Sequence, residues 1–279
     1  MKPSTSSLKS ASAAALCLIS APLVHGAVGI PYFDDFSSYG TGSGNNSVAN
    51  ADTVFIESNS AAFAAYTLTG GNAATNFFRG NIQSSNSASA VVESSVPGGN
   101  NFSVSTIVRT TALDAGTSPP AQTSMLFSLV AASGLSGTNL SGGYYRLNID
   151  YLAGTLGMQK VVGSTVTDLG TAVGTSASSW FSTSTTYLTF TLTGNYTSAT
   201  SVDLVGTISD GTNTTTFNAT DATDVLTGSY FGYRVQKTAG TSAQFTTRMD
   251  NFSLNVVPEP SSALLAVAGV SMLAARRRR

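Results

Sequence analysis

From Ile30 onward, apolar residues alternate with polar ones at a spacing of two, and no run shows the three-and-four spacing of a helix. A strand turns successive side chains to opposite faces, so this pattern commits the chain to short, half-buried strands. Tyr32–Phe36, Val54–Glu57, Ala62–Leu68, Ala88–Glu93 and Phe102–Val108 read as strands, the last with Phe102, Val104 and Val108 on one face. Met125–Val130 is apolar on both faces and reads as a central strand. Tyr144–Tyr151 and Leu156–Val162 flank Ala153-Gly154-Thr155, a hairpin signal. Tyr187–Thr193 follows, and then Val202–Ser209, which runs through Asp210-Gly211 into Thr214–Phe217. Asp221–Leu226 is expected to make one helical turn, and Ser229–Gln236 to direct Phe231, Tyr233 and Val235 inward.

The last stretch, Gln244–Val256, changes parity. Phe245, Thr247 and Met249 share one side, whereas Phe252, Leu254 and Val256 share the other. A regular strand cannot turn both sets to a core, so the spacing predicts a bulge at Asp250-Asn251 that adds one residue. About a dozen short strands without a helix predict an all-β fold, an antiparallel two-sheet sandwich of jelly-roll type, spanning 27–257 as one domain.

The two ends have another character. Lys2 and Lys9, the apolar run Ala11–Ala21 and the small residues around Val24-His25-Gly26 make residues 1–26 an expected signal peptide, cleaved before Ala27. At the other end, Pro258-Glu259-Pro260 stops the preceding strand. Ser261–Ala275 then supplies 15 uncharged residues, a short hydrophobic helix, and Arg276, Arg277, Arg278 and Arg279 resist passage through a bilayer. Such a helix is roughly 22 Å long, shorter than a comfortable span. Physics alone reads a short C-terminal anchor.

Between these ends the chemistry narrows sharply. Cys17 and His25 both fall in the leader, so the 231 residues of the body hold neither Cys nor His. That excludes Ser-His-Asp and Cys-His catalysis, imidazole or thiolate metal sites, and a disulfide framework. Seven basic side chains face thirteen acidic ones, a net charge of −6 for the body. This balance speaks against nucleic acid and against anionic membrane surfaces as partners.

The ordered trio of Pro258-Glu259-Pro260, apolar helix and terminal arginine cluster resembles the PEP-CTERM sorting signal of Gram-negative bacteria. The resemblance implies recognition of Pro258, Glu259 and Pro260 by exosortase, a membrane-embedded Cys protease. It further implies transient anchoring in the inner membrane through helix 261–275, held by the Arg276–Arg279 stop. The body would then reach the cell surface or extracellular matrix. Phe33-Asp34-Asp35-Phe36, Gly232-Tyr233-Arg234 and Met249-Asp250-Asn251-Phe252-Ser253-Leu254 resemble the opening and closing strands of laminin-G/concanavalin-like jelly rolls.

That second resemblance raises a Ca²⁺ site from Asp34, Asp35 and Asp250, which are hard oxygen ligands that meet if first and last strands pair. The competing expectation is that Asp250 and Asn251 simply satisfy the loose backbone of the bulge. Trp180, Tyr144 and Tyr145 are candidates for stacking on sugar rings, with core or rim filling as the alternative. Related glycosidases carry a Glu-x-Asp-x-Glu strand, whereas Glu57 and Glu93 here stand alone. The expectation is therefore an exported, non-catalytic surface or matrix protein associated with exopolysaccharide. The alternatives are a lectin-like carbohydrate-binding module and, third, a glycoside hydrolase, which needs two carboxylates in a cleft.

Overall fold

The structure, a computed structural model, describes residues 27–36, 55–57, 63–67, 76–82, 87–110, 125–150, 153–175, 187–237 and 245–257. In chain order the strands are β1 (Ala27–Val28), β2 (Tyr32–Asp34), β3 (Ile56–Glu57), β4 (Phe63–Thr67), β5 (Asn76–Ile82), β6 (Ser87–Ser94), β7 (Asn101–Thr110), β8 (Met125–Ser136), β9 (Asn139–Asp150), β10 (Thr155–Val162), β11 (Thr165–Asp168), β12 (Val173–Gly174), β13 (Leu188–Ser198), β14 (Ser201–Ser209), β15 (Thr214–Asp221), β16 (Tyr230–Lys237) and β17 (Phe245–Val257). Among the described residues there is no helix. None is therefore long and apolar enough to cross a membrane. The expected leader 1–26 and the tail 258–279 lie outside the described residues.

Two sheets pack face to face. A nine-stranded sheet runs β1-β6-β16-β8-β9-β10-β11, with β3 also on β6 and β12 also on β10. An eight-stranded sheet runs β15-β14-β13-β7-β17-β5-β4, with β2 also on β17. The pairing of β1 with β6 is parallel, and every other described pair is antiparallel. The late strands enter at internal positions: β16 between β6 and β8, β17 between β7 and β5.

The core fills the space between the sheets as strand alternation dictates. From one side come Ala90, Val92, Phe127, Leu129, Leu147, Ile149, Phe231, Tyr233 and Val235; from the other, Val104, Val108, Phe190, Leu192, Leu204, Met249, Phe252 and Leu254. Phe127 lies 5.7 Å from Phe190, and Tyr233 meets Phe252 edge-on at 5.2 Å. Such offset aromatic pairs add to what area burial alone contributes. Gly206 permits a close approach between the sheets, since a Cβ there would stand 2.2 Å from Leu147 Cδ1.

The predicted parity switch is present. The register of β17 against β7 shifts between Asp250 and Ser253, Asn251 adopts a left-handed φ of 52°, and Met249 and Phe252 are both fully buried. Asn tolerates that backbone region better than most residues. A bulge leaves a carbonyl unpaired, and here Thr106 Oγ1 donates to Asp250 O at 2.9 Å while accepting from the Tyr233 hydroxyl at 3.3 Å. The motif residues Tyr233 and Asp250 are thus joined across the core. Phe33-Asp34-Asp35-Phe36 has a comparable structural role: Asp34 Oδ1 accepts from the Phe36 amide at 2.7 Å, and Phe36, at φ 54°, is wholly buried 5.9 Å from Phe55.

The helical turn expected at Asp221–Leu226 does not form. The backbone groups that a helix would pair internally are taken by side chains of the sheets instead. Tyr145 Oη donates to Asp221 Oδ2 at 2.6 Å and accepts from the Leu226 amide at 3.0 Å. Tyr196 Oη donates to Leu226 O, and Lys160 Nζ donates to the carbonyls of Thr223 and Asp224 while pairing with Asp221 Oδ2 at 2.9 Å. Burial alone would raise the Asp221 pKa, but the hydrogen bonds from Tyr145, Lys160 and Thr223 outweigh it and hold the carboxyl below its usual range. Burial, reinforced by the Asp221 hydrogen bond, pushes the Tyr145 phenol far up.

Candidate functional site

Strand alternation that fills the core also writes the opposite, outer face of the nine-stranded sheet. Register across β6, β16, β8, β9 and β10 aligns the residues of that face in rows. One row reads Ser89, Arg234, Ser128, Asn148, Gly157, and the next Val91, Gly232, Val130, Arg146, Gln159. Asp168 of β11 continues the second row beside Gln159. At one end of the face, Val91, Val130, Ala132, Tyr144 and Val161 form a small apolar cluster of their own. The rest is polar, yet much of it is withdrawn from solvent: Arg146 and Asn148 are each 5% exposed and Ser128 1%.

The polar groups form one connected network. Gln159 Oε1 accepts from Arg146 Nε and from Asn148 Nδ2, both at 2.8 Å, and Gln159 Nε2 donates to Asp168 Oδ1 at 2.6 Å. Ser128 Oγ donates to Asn148 Oδ1, and Arg146 Nη1 donates to Gln236 Oε1 at 2.8 Å. Arg234 Nη2 donates to Ser87 Oγ, and its guanidinium carbon stands 5.7 Å from the centre of the Tyr144 ring. Its Nε is buried and has no partner among the described residues. Burial lowers the basicity of Arg146 and the nearby Arg234 charge lowers it further, against opposing contributions from Tyr144 and Asp168. Arginine stays charged regardless, so the face holds two adjacent cations bonded to neutral acceptors.

Beside this network opens a cleft of about 520 Å³, of the size small-ligand sites take. Asn148, Asp150, Thr155, Gln159, Asp168 and Thr171 supply its polar lining, and Leu126 and Met158 its apolar part. Planar amides and carboxylates next to a few apolar atoms are what a sugar ring needs, because its hydroxyls both donate and accept.

The residues singled out from sequence fall in several places. Tyr145 is wholly buried toward the core, so its ring faces the sandwich interior rather than solvent. Tyr144 lies on the outer face at 8% exposure, under the Arg234 guanidinium. Trp180 lies outside the described residues. β2 pairs with β17, as a shared acidic site requires, with Asp34 opposite Phe252. Asp250 feels its neighbours: burial raises its pKa, the Asn251 amide opposes this, and the charges of Asp35 and Asp34 raise it again. Yet no trio of His, Cys, Asp or Glu among the described residues is placed to hold a metal. Asp34 Oδ1 and Oδ2 accept from Phe36 N and Tyr32 Oη, and Asp250 Oδ1 accepts from Asn251 N. Sequence reading missed Arg146, Arg234, Asn148, Gln159, Gln236 and the cleft. Tyr144-x-Arg146-x-Asn148 was visible as a polar set alternating with an apolar one, but the register joining it to Gln159 and Arg234 was not.

The chain matches no protein-family profile and no curated protein sequence. Solved structures of similar shape exist at low identity. The alginate lyase Aly36B superposes with a TM-score of 0.50 at 16% identity, covering 83% of this chain and 99% of that one. Peanut lectin superposes at 0.43 and 9%, covering 82% and 98%. The binding domain of Paraclostridial Mosquitocidal Protein 1 superposes at 0.40 and 14%, covering 73% of this chain and 45% of that one. This chain thus spans less than half of that toxin structure. What the Aly36B likeness shows is the fold alone, a two-sheet β-sandwich.

Proposed function

We propose that this is an exported, non-catalytic surface or matrix protein that binds carbohydrate through the outer face of its nine-stranded sheet. The cleft with its amide and carboxylate lining carries the reading. Sandwiches of this fold include a lectin and an alginate lyase, but the reading rests on the cleft. A glycan array with the full-length protein tests it: discrete hits, lost on Asn148→Ala with thermal unfolding retained, are expected. A blank array removes the carbohydrate reading.

Export and sorting are part of the same proposal, on the strength of the leader 1–26 and the PEP-CTERM-like tail with its expected exosortase cleavage. Mass spectrometry of the mature protein should find an N-terminus at Ala27 and no residues after the Pro258-Glu259-Pro260 region. An intact Arg279 would leave the tail as a simple membrane anchor.

One observation favours a second reading, glycoside hydrolysis. Asp150 and Asp168 line the same cleft, and two carboxylates are what that chemistry requires. Both have structural work already, since Asp150 Oδ1 accepts from the Ala153 amide and Asp168 Oδ1 from Gln159. Release of reducing ends from a bound glycan, abolished by Asp150→Asn, would favour the enzyme.

A further inference from the structure

Carbohydrate binding leaves the class of glycan open. We propose that Arg146 and Arg234 form a recognition point for a carboxylate, so that the cleft takes a uronic-acid polysaccharide in preference to a neutral one. This rests on the carbohydrate-binding reading above.

Charge is the first support. A charged side chain withdrawn from water is normally paired with its opposite. Here two cations on one face donate to Gln159, Gln236 and Ser87, all neutral, and neither forms an ion pair among the described residues. The burial that penalises Arg146 is made worse by Arg234. Placing two of the body's seven basic residues together, against a net charge of −6, concentrates scarce positive charge at one spot. A bound carboxylate would relieve both the desolvation and the mutual repulsion.

Geometry is the second support. Among the described residues the buried Nε of Arg234 has no acceptor, and a guanidinium offers parallel N–H groups that match the two oxygens of a carboxylate. The Tyr144 ring beneath it fixes the plane of the fork. Gln159 connects this point to the cleft, bonded to Arg146 on one side and to Asp168 on the other. A uronate ring would thus direct its carboxylate to the arginines and its hydroxyls to Asp150 and Asp168, which accept but cannot donate when ionised.

The test is calorimetric titration of the full-length protein with oligogalacturonate and oligomannuronate, and with the same oligomers after reduction of their carboxyl groups to hydroxymethyl. The acidic forms should bind at least about tenfold more tightly than the reduced ones, and their affinity should fall with added salt. Arg234→Gln should weaken the acidic forms by about tenfold or more and leave the reduced forms unchanged. Arg234→Lys, which keeps the charge without the fork, should fall between. Thermal unfolding of both variants checks that they are folded. Equal affinity for acidic and reduced oligomers, indifferent to Arg234→Gln, overturns the carboxylate assignment while carbohydrate binding stands. Failure of every oligomer together with a blank glycan array overturns both.

Discussion

Tyr233 and Arg234 are neighbours on β16 and face opposite ways. Tyr233 points into the sandwich, where its hydroxyl joins Thr106 and, through it, the loose carbonyl of the bulge. Arg234 points outward into a network whose polar members are almost as withdrawn from water, yet its Nε has no partner among the described residues. Burial therefore does not separate core from site in this molecule. Completion does: inside, polar atoms close on one another, whereas outside, among the described residues, the network leaves one buried donor, Arg234 Nε, without an acceptor. An unfinished buried network in a folded protein is where a ligand is expected to finish it.

The contrast can be broken from either side. Tyr233→Ala removes a ring and the bridge to the bulge, and should cost about 3–5 kcal/mol in urea unfolding; a loss under about 1 kcal/mol would mean the core closes without it. Asp221→Asn should cost about 1–3 kcal/mol at neutral pH by undoing the Tyr145 and Lys160 bonds.

It should also change the acid limb. Asp221 is held below its ordinary pKa in the folded state, so its contribution is present above the unfolded value and lost as pH falls through the folded one. Asp250 has the opposite sign. Its folded pKa is raised, so stability is greatest below the unfolded value and declines as pH rises through the folded one. Asp250→Asn should flatten that decline in thermal scans from pH 4 upward, about the range where carboxylates titrate. A melting temperature that rises with millimolar Ca²⁺ in the parent and not in this variant would place an ion at the bulge. The smallest effect belongs to Arg234→Gln: losing the Ser87 bond and the Tyr144 stack should cost about 1 kcal/mol, even as binding of acidic sugars is lost. A large loss of stability would make Arg234 a structural residue after all.

The fold was largely legible because each strand's apolar residues announce their own face. Phe231, Tyr233 and Val235 pointed inward as their spacing demanded, and the switch at Asp250-Asn251 gave away an extra residue. Weakly apolar strands were missed. β11, Thr165–Asp168, is exposed throughout and carries no core signature, and β5 was not recognised either. Asp221–Leu226 misled because its loop is held by Tyr145, Tyr196 and Lys160, which lie 25 or more residues upstream in sequence. The site was hidden for the same reason. Arg146, Gln159 and Arg234 become neighbours only through the register of four strands, and alternation says nothing about register across a sheet.

The internal positions of β16 and β17 bear on how the molecule assembles. Each is the wedge that joins two halves of a sheet, β6 to β8 in one case and β7 to β5 in the other. Until Tyr230–Val257 is available, neither sheet can be whole, and four strand edges stay open to pairing with other chains. Completion of the sandwich must wait for the C-terminal part of the body. A chain interrupted before Tyr230 would be left as separate ribbons with exposed apolar faces, a state prone to aggregate. Under the proposed export from the N-terminus, this ordering would keep the body unfolded, and so transportable, until nearly all of it had crossed.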